Sequence, residues 1–358
     1  MTTMRDVAAR ARVSAKTVSR VFNDDPHVLP ETRARVAEAM RELGYVPTSL
    51  SRSFRTGRPP VLGVAVPDLA DPFFAVLAKA VEEVAARADM AVLVSSIGYD
   101  PALEAAALES LLRRSLSGLV VAPTSQDHGH LGVWATRLPV VFVDRPPRVL
   151  TADAFTGDDA AGGRLATEHL IAHGHRHIAF VGDSPAMSTT AARLAGHRAA
   201  LADAGLGPGD ELVAFGAGDR RSADGLVHRL RSAAAPPTAL VSGDARTTMS
   251  LVPALAGSTW AVVGFGDFPM AHMLSPALTV VDQDPATLGR LAAERVVERL
   301  GAPDRRFRRR TIVPVRLVER RSCWSPADAS TLFPSSSPEP GTGASAHAAP
   351  SLAEEPLP

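Results

Sequence analysis

The sequence contains a single cysteine and no long apolar run, and both absences narrow what the protein can be. Cys323 by itself can form neither an intrachain disulfide nor a multi-cysteine zinc site. No apolar stretch reaches the ~18 residues of a membrane-spanning helix, and the start lacks the basic-then-apolar pattern of a secretory signal. We therefore expect a soluble, cytoplasmic protein with no membrane partner. Its 358 residues are enough for two or three domains.

Catalytic motifs are also missing from the sequence. The glycines between 157 and 163 do not have the spacing of a nucleotide-binding loop, and no Gly-x-Ser-x-Gly occurs. Asp183 and Ser184, with histidines nearby, do not form a nucleophile elbow. We therefore expect a protein that is not an enzyme and that needs no cofactor. Two other classes of protein stay as alternatives, an enzyme and a simple sugar-binding module. A gel-shift experiment would distinguish both from a DNA-binding protein, because neither would retard DNA.

The net charge of the chain is zero, but the charges are unevenly distributed. Residues 1–58 contain 11 Lys and Arg against 6 Asp and Glu, a net charge of +5. The rest of the chain therefore has a net charge of −5, because the totals are 38 basic and 38 acidic residues. A basic segment attached to an acidic body suits a protein that binds nucleic acid at one end.

The basic segment has the pattern of a helix-turn-helix. Thr3 and Asp6 resemble a capping box at the start of a first helix, Met4 to Ala11. Ser14 can cap a second helix, which has an apolar face at Val18, Val21 and Phe22. The other face of the second helix carries residues that can contact phosphates and base edges: Ala15, Lys16, Thr17 and Arg20. This arrangement predicts that the second helix reads DNA.

The same segment resembles the headpiece of the lactose repressor / galactose repressor family. The resemblance is carried by Arg5-Asp6-Val7-Ala8, Val13-Ser14, Thr17-Val18-Ser19-Arg20-Val21, Asn23 and Gly44-Tyr45-Val46-Pro47. It implies a headpiece over residues 1–47, followed by a hinge helix and linker over 48–60. It also implies a transcriptional repressor that binds a pseudo-palindromic operator in double-stranded DNA as a homodimer.

The resemblance further implies which residues contact DNA, namely Thr3, Ser14, Ala15, Lys16, Thr17, Arg20, Asn23, His27, Phe54 and Arg55. Phe54 stands where the family has a leucine that wedges into the minor groove, and phenylalanine can take that role. Two positions depart from the family pattern. Arg12 lies in a turn where Gly or Asn is frequent, and Leu29 lies where Ser or Thr often caps the third helix, which begins at Pro30. We expect each departure to cost about 1 kcal/mol of headpiece stability.

From Val61 onward, short β-branched runs alternate with alanine-rich helical runs. This alternation predicts parallel sheets with helices on both faces, arranged as two similar lobes with a cleft between them. The last part of this region, with one predicted strand at Thr311–Val318, is too short for a lobe of its own and should complete the other two. Residues 325–358 are rich in Pro, Ser, Ala and Gly and should be disordered.

Resemblance to the same family extends through this region to about Arg321. It is carried by stretches such as Asp71-Pro72-Phe73-Phe74, Val143-Asp144-Arg145-Pro146, Gly174-His175-Arg176-His177 and Pro276-Ala277-Leu278-Thr279-Val280. The implied fold over 61–324 is the α/β effector domain of the periplasmic-binding-protein-like type I class, which follows the all-α headpiece. This domain would bind a small effector molecule that controls the affinity for DNA.

The resemblance places the effector in the cleft between the lobes, in contact with Phe73, Phe74, Arg193, Asp244 and Gln283. An aromatic wall can stack on a sugar or a base, and Arg193 offers a planar fork of donors. The sequence departs from the family at Gly266, where sugar-responsive members often have an aspartate. The pocket must then recruit Asp267 or prefer a ligand that depends less on this acceptor. We expect a sugar or sugar derivative, with a phosphorylated or acidic ligand as the alternative.

Four histidines lie close together at positions 169, 173, 175 and 177. His169 and His173 have the i, i+4 spacing that could bind a metal, but the sequence places no acid beside them in a metallohydrolase pattern. The family has this Gly-His segment as a turn from helix to strand. We therefore interpret the segment as structural and predict no metal site.

Overall fold

A computed structural model describes residues 2–22, 25–45, 61–207 and 212–324. The predicted hinge and linker, the predicted tail, and the predicted DNA contacts Asn23, Phe54 and Arg55 lie outside these residues. The fold confirms the predicted class, which is a helical headpiece followed by two lobes with parallel sheets.

The headpiece is built from three helices around a small apolar core. They are α1 (Met4–Ala11), α2 (Ala15–Phe22) and α3 (Pro30–Glu42). Each helix contributes one fully buried valine to the centre of this core. These valines are Val7, Val18 and Val36. The predicted capping box of α1 is present, since Thr3 and Asp6 exchange side-chain-to-backbone hydrogen bonds. The helical spacing of the valines therefore determines which face of α2 is left exposed.

The first lobe has a parallel sheet with helices on both faces. Its strands are β1 (Val61–Val66), β2 (Ala91–Ser96), β3 (Gly118–Val121), β4 (Val140–Val143), β5 (Asp153–Gly157) and β11 (Arg310–Val313), in the order β11-β5-β4-β3-β1-β2. One face is covered by α4 (Pro72–Arg87) and α11 (Pro285–Gly301), and the other by α5 (Pro101–Leu112). A short α6 (Gly132–Ala135) follows a turn of 3-10 helix, Gly129–Leu131. Burial on both faces explains the continuous apolar runs of the central strands.

The second lobe repeats this architecture with one antiparallel edge strand. Its strands are β6 (Ile178–Gly182), β7 (Val213–Phe215), β8 (Ala239–Ser242), β9 (Ala261–Phe265), β10 (Thr279–Asp282) and β12 (Arg316–Val318), in the order β12-β10-β9-β8-β6-β7. One face packs on α7 (Asp159–Ala172) and α8 (Ser188–Asp203). The other face packs on α9 (Arg220–Arg231) and α10 (Ala245–Ala254). Strand β12 runs antiparallel to β10.

The structure corrects two predictions about strands. The first concerns the segment near the end of the chain that crosses between the lobes. The single strand predicted at Thr311–Val318 is two strands, β11 in the first sheet and β12 in the second. Pro314 lies between them, and proline has no N–H to donate to a sheet. The sequence pattern also misses β5, whose first residue, Asp153, is buried because Arg295 and Arg299 of α11 pair with it.

Candidate DNA-binding helix and effector cleft

Helix α2, which is predicted to read DNA, is capped and presents the predicted polar face. The Oγ atom of Ser14 accepts a hydrogen bond from the backbone N–H of Thr17 at 3.0 Å, and it also bonds the Thr17 hydroxyl at 2.9 Å. Ala15 and Lys16, in the first turn, are exposed. Thr3 at the start of α1 and His27 beyond α2 are exposed as well. The structure therefore leaves the start of α2 accessible to a DNA groove.

Arg20, near the end of α2, is tied to the following loop. Its Nε donates to Oδ2 of Asp25 at 2.7 Å, and this bond lowers the pKa of the Asp25 carboxyl. The other carboxylate oxygen of Asp25 accepts from the backbone N–H of His27 at 2.9 Å. Arg33 of α3 donates to the carbonyl of Asp25, also at 2.9 Å. Arg20 is thus held by an acid, which the predicted contact of Arg20 with DNA would have to displace or share.

The two departures from the family pattern have visible structural costs. Arg12 adopts a left-handed conformation, with φ 53° and ψ 49°, which a residue with a side chain adopts at a cost. Leu29 precedes α3 and makes no side-chain capping bond, and it is 69% exposed. Neither residue lies on the exposed face of α2, so the departures concern stability rather than recognition.

All five predicted effector residues line one cavity between the lobes. This cavity, together with the space where it opens to solvent, measures about 400 Å³ and is lined by Asp71, Phe73, Phe74, Tyr99, Asp144, Arg145, Asp183, Arg193, Asp244, Ala245, Arg246 and Gln283. Phe73 and Phe74 meet edge to face with ring centroids 5.1 Å apart. They lie in the first turn of α4, after Pro72, and the carboxylate of Asp71 caps the helix by accepting from the N–H of Phe73 at 2.9 Å.

Arg193 is buried and held in position from three sides. Its Nε donates to Asp159 at 2.8 Å, and Nη2 lies 2.7 Å from the same carboxylate oxygen. Nη1 donates to the carbonyl of Gly243 at 2.6 Å, and the guanidinium stands 4.1 Å from the centroid of the Phe265 ring. A guanidinium has five N–H groups, so one on each Nη remains for a ligand. The charge of Arg193 is already neutralised by Asp159.

The sequence interpretation missed several residues of the cavity, three of which are acids. Asp144 follows β4 and Asp183 follows β6, while Asp71 follows the loop after β1. Polar residues just beyond the carboxyl ends of parallel strands are a general sign of a ligand site, and this sign could have identified them. Tyr99, Arg145 and Arg246 are the other charged or polar residues that were missed.

The crowding of acids changes their protonation. Burial, together with the charges of Asp244 and Asp144, raises the pKa of Asp71 to about 6. Burial and the charge of Asp183 raise the pKa of Asp244, whose carboxylate caps α10 through the N–H of Thr247 at 2.8 Å. Burial also raises the pKa of Asp159 to about 6, although the attraction of Arg193 opposes this rise. The cavity therefore has an excess of acceptors whose charges repel one another.

The structure bears on one of the two alternatives that the sequence left open at Gly266, namely the recruitment of Asp267 to the cavity. Gly266 has φ +81°, and a Cβ added there would lie 3.1 Å from the Cβ of Ala245. Asp267 is not among the residues lining the cavity, and its Oδ2 accepts from Nη2 of Arg320 at 2.8 Å. Asp267 is thus engaged elsewhere, while the carboxylates in the cavity are those of Asp71, Asp144, Asp183 and Asp244.

A cation–π contact and a hydrogen bond connect the lobes across the cleft. The guanidinium of Arg246, in the second lobe, lies 4.2 Å from the ring centroid of Tyr99 in the first. Nε2 of Gln126 donates to the carbonyl of Ala186 at 2.9 Å. The cleft continues past Tyr99 and Arg246 into a wider space of about 860 Å³. Movement of the lobes would have to break or rearrange these contacts.

Among the residues that the structure describes, no helix is long and apolar enough to span a membrane.

Comparisons with known proteins agree with both parts of the fold. Residues 3–48 match a family model described as bacterial regulatory proteins, lacI family, and residues 59–321 match one described as periplasmic binding proteins and sugar binding domain of LacI family. The chain is 29% identical over 330 residues to the ribose operon repressor of Escherichia coli, covering 90% of this chain and 100% of that protein. It is 30% identical over 339 residues to the HTH-type transcriptional regulator GalR of Salmonella typhimurium, covering 93% and 99% of the two chains.

A solved structure shows the same arrangement. The Lac repressor dimer bound to operator and the anti-inducer ONPF is 26% identical, with a TM-score of 0.79, covering 90% of this chain and 99% of that one. The matching models cover the headpiece and both lobes, and the relatives align over nearly their whole length. The chain therefore belongs to the LacI family of bacterial regulatory proteins and is a DNA-binding transcriptional regulator with that family's sugar-binding domain.

Proposed function

We propose that this regulator is a repressor that binds its operator as a homodimer in the cytoplasm. We further propose that a neutral sugar or sugar derivative in the cleft controls its affinity for the operator. One observation carries the choice of ligand. The cavity presents Asp71, Asp144 and Asp183, while the charge of its central arginine, Arg193, is neutralised by Asp159.

A neutral polyol matches this arrangement of charges. Sugar hydroxyls can donate to carboxylates, and such charge-assisted hydrogen bonds are stronger than neutral ones. Phe73 and Phe74 offer an apolar wall for the C–H face of a sugar ring. The remaining N–H groups of Arg193 can donate to a hydroxyl or ring oxygen. The site thus combines donors, acceptors and an aromatic surface in one small cavity.

An acidic or phosphorylated ligand fits less well. Its negative charge would meet the carboxylates of Asp71, Asp144 and Asp244, which already repel one another. Only Arg145 and Arg246 among the lining residues could offset that repulsion, and Arg145 Nη1 already donates to the carbonyl of Pro123 at 2.7 Å. Electrostatics therefore favour the neutral ligand.

The surface of the first lobe supports the homodimer. Strand β2 lies at the edge of its sheet, and it exposes Leu93 by 38% and Val94 by 36%. Val76 on the neighbouring helix α4 is exposed as well. An exposed apolar edge strand is a surface that proteins normally cover. Two headpieces in one dimer would also read enough base pairs for useful specificity.

A two-step experiment tests the proposal. A thermal-shift screen of ribose, galactose and other neutral sugars, with sugar phosphates and nucleosides for comparison, should find a neutral sugar that raises the melting temperature. Gel-shift measurements with selected operators should then show that this sugar changes DNA affinity. Stabilisation by sugar phosphates alone would contradict the proposed ligand class. A protein that retards no DNA at low salt would contradict the regulatory role itself.

A further inference from the structure

Two histidines and a glutamate that lie far apart in the sequence meet on the second lobe, at the end of α7 away from the cleft. His169 lies in the last turn of α7 and His173 caps its C-terminus. Glu319 follows the edge strand β12. Each of the three offers one ligand atom, and these atoms lie within 4.8 Å of one another. Our interpretation of the histidine segment as structural depended on the lack of an acid, and Glu319 supplies one.

The hydrogen bonds of this group leave one ring nitrogen of each histidine available. Nδ1 of His173 donates to the carbonyl of His169 at 2.9 Å, so Nε2 of His173 carries a lone pair. Metal-binding histidines are typically oriented by such a bond from their other ring nitrogen. Nε2 of His169 is buried and accepts no hydrogen bond from the residues that the structure describes. A buried nitrogen without a partner costs free energy, and a bound ion would remove that cost.

We propose that His169, His173 and Glu319 form a binding site for a divalent transition-metal ion, with Zn²⁺ as the best match. Two imidazoles and one carboxylate are ligands that zinc accepts, with water in the fourth position. Mg²⁺ and Ca²⁺ prefer oxygen ligands only. Tetrahedral zinc places its ligands about 3.3 Å apart, so small side-chain rotations would close the group around the ion.

The ion would fasten the last strand of the chain to α7. Glu319 follows β12, and the next residue, Arg320, pairs with Asp267 of the second lobe. Residues 169 and 319 are 150 positions apart in the sequence. A metal that remained bound to both residues in the unfolded chain would therefore close a very long loop. An ion that binds the native state alone stabilises that state by mass action. We therefore expect Zn²⁺ to raise the melting temperature of the protein.

The test uses the full chain without an affinity tag, because a histidine tag would bind the same ions. Protein treated with EDTA and desalted is dialysed against ZnCl₂, and bound zinc and the melting temperature are measured. We expect one Zn²⁺ per chain from this site and a higher melting temperature. MgCl₂ under the same conditions should do neither.

Variants locate the site. His173→Asn keeps a donor for the carbonyl of His169, because the Asn side-chain nitrogen lies near the position of Nδ1, but it removes Nε2. Glu319→Gln removes the charge of an exposed carboxylate. Both variants should lose zinc binding by tenfold or more and lose the zinc-dependent rise in melting temperature. His177→Asn, on an exposed histidine of the same segment, is the matched control and should behave like the wild type.

Two results would overturn the proposal. One is a wild type that takes up no zinc and shows no rise in melting temperature. The other is zinc binding that survives both His173→Asn and Glu319→Gln, since any ion would then bind elsewhere. Melting temperatures in EDTA show whether the variants fold. If His173→Asn is destabilised, the exposed Glu319→Gln decides the question.

Discussion

Arg193 and Asp159 form a buried ion pair at the back of the effector cavity, with Nε of the arginine 2.8 Å from the carboxylate. Arg193 is 4% exposed, and its partner is the first residue of α7. The pair fixes the guanidinium beside the cavity before any ligand arrives. It also removes the net positive charge that an anionic ligand would need.

Removing one member of this pair should destabilise the protein strongly. Asp159→Asn leaves the Arg193 charge buried without its counter-ion, and we expect a loss of about 3 kcal/mol in the free energy of unfolding. The double variant Asp159→Asn with Arg193→Met should lose less than the single variant, because no buried charge is left unpaired. Urea unfolding of the wild type, the single variant and the double variant measures these free energies. A double variant that is less stable than Asp159→Asn would refute the assignment of the ion pair.

The same arginine should be required for the effector. In the double variant, which leaves no buried charge unpaired, binding of the identified sugar should weaken at least tenfold, because the two donors of Arg193 to the ligand are lost. Operator binding without the sugar should persist, since the headpiece is unchanged. Calorimetry with the sugar and gel-shift with the operator separate the two effects. Unchanged sugar affinity would show that the effector lies elsewhere.

Effector affinity should depend on pH through Asp71. Burial and the nearby acids raise the pKa of Asp71 to about 6 in the free protein. Sugar hydroxyls favour the charged carboxylate, so affinity should rise from pH 5 to pH 7 by roughly tenfold, and binding near pH 6 should release protons. Calorimetry in two buffers with different ionisation enthalpies detects these protons.

Asp71→Asn is the control for this pH dependence. It keeps the capping acceptor for Phe73 but cannot titrate. The rise in affinity between pH 5 and pH 7 should flatten in this variant. A dependence that persists unchanged would assign the titration to another acid, such as Asp159, whose pKa is also raised to about 6.

Arg20 should be needed for specific DNA binding. Arg20→Ala removes a cation from the reading helix, and we expect operator affinity to fall roughly tenfold to a hundredfold. Arg41→Ala is the control, since Arg41 is an exposed arginine that, like Arg20, is paired with an acid, here Glu38 of α3. Gel-shift titrations at several salt concentrations measure both variants. Equal losses in the two would mean that Arg20 contributes only its charge.

The headpiece can be stabilised at Leu29. Leu29→Ser would supply the missing side-chain acceptor at the N-terminus of α3, and the exposed leucine loses little burial. We expect a gain of about 1 kcal/mol in the stability of α3, relative to Leu29→Ala. Hydrogen exchange of the α3 amides in the full chain reports this gain. Slower exchange in the alanine variant than in the serine variant would contradict it.

Local patterns in the sequence determined most of the architecture. The spacing of Val18, Val21 and Phe22 identifies the buried face of α2, and the alternation of strands and helices predicts two parallel-sheet lobes. These features depend on neighbours a few residues apart, so a single sequence displays them. Strand β5 is one exception, because its buried Asp153 requires arginines from α11, more than 140 positions away.

Only the tertiary structure decided which charges act together. The sequence does not reveal that Asp71, Asp144 and Asp183 face one cavity, or that Asp267 is occupied by Arg320. Nor does it place Glu319 beside His169. Electrostatic interactions depend on distance and burial, and the crossing of the chain between the lobes sets both. The type of protein is therefore determined by local pattern, while the chemistry of its ligand sites arises from contacts between residues distant in the chain.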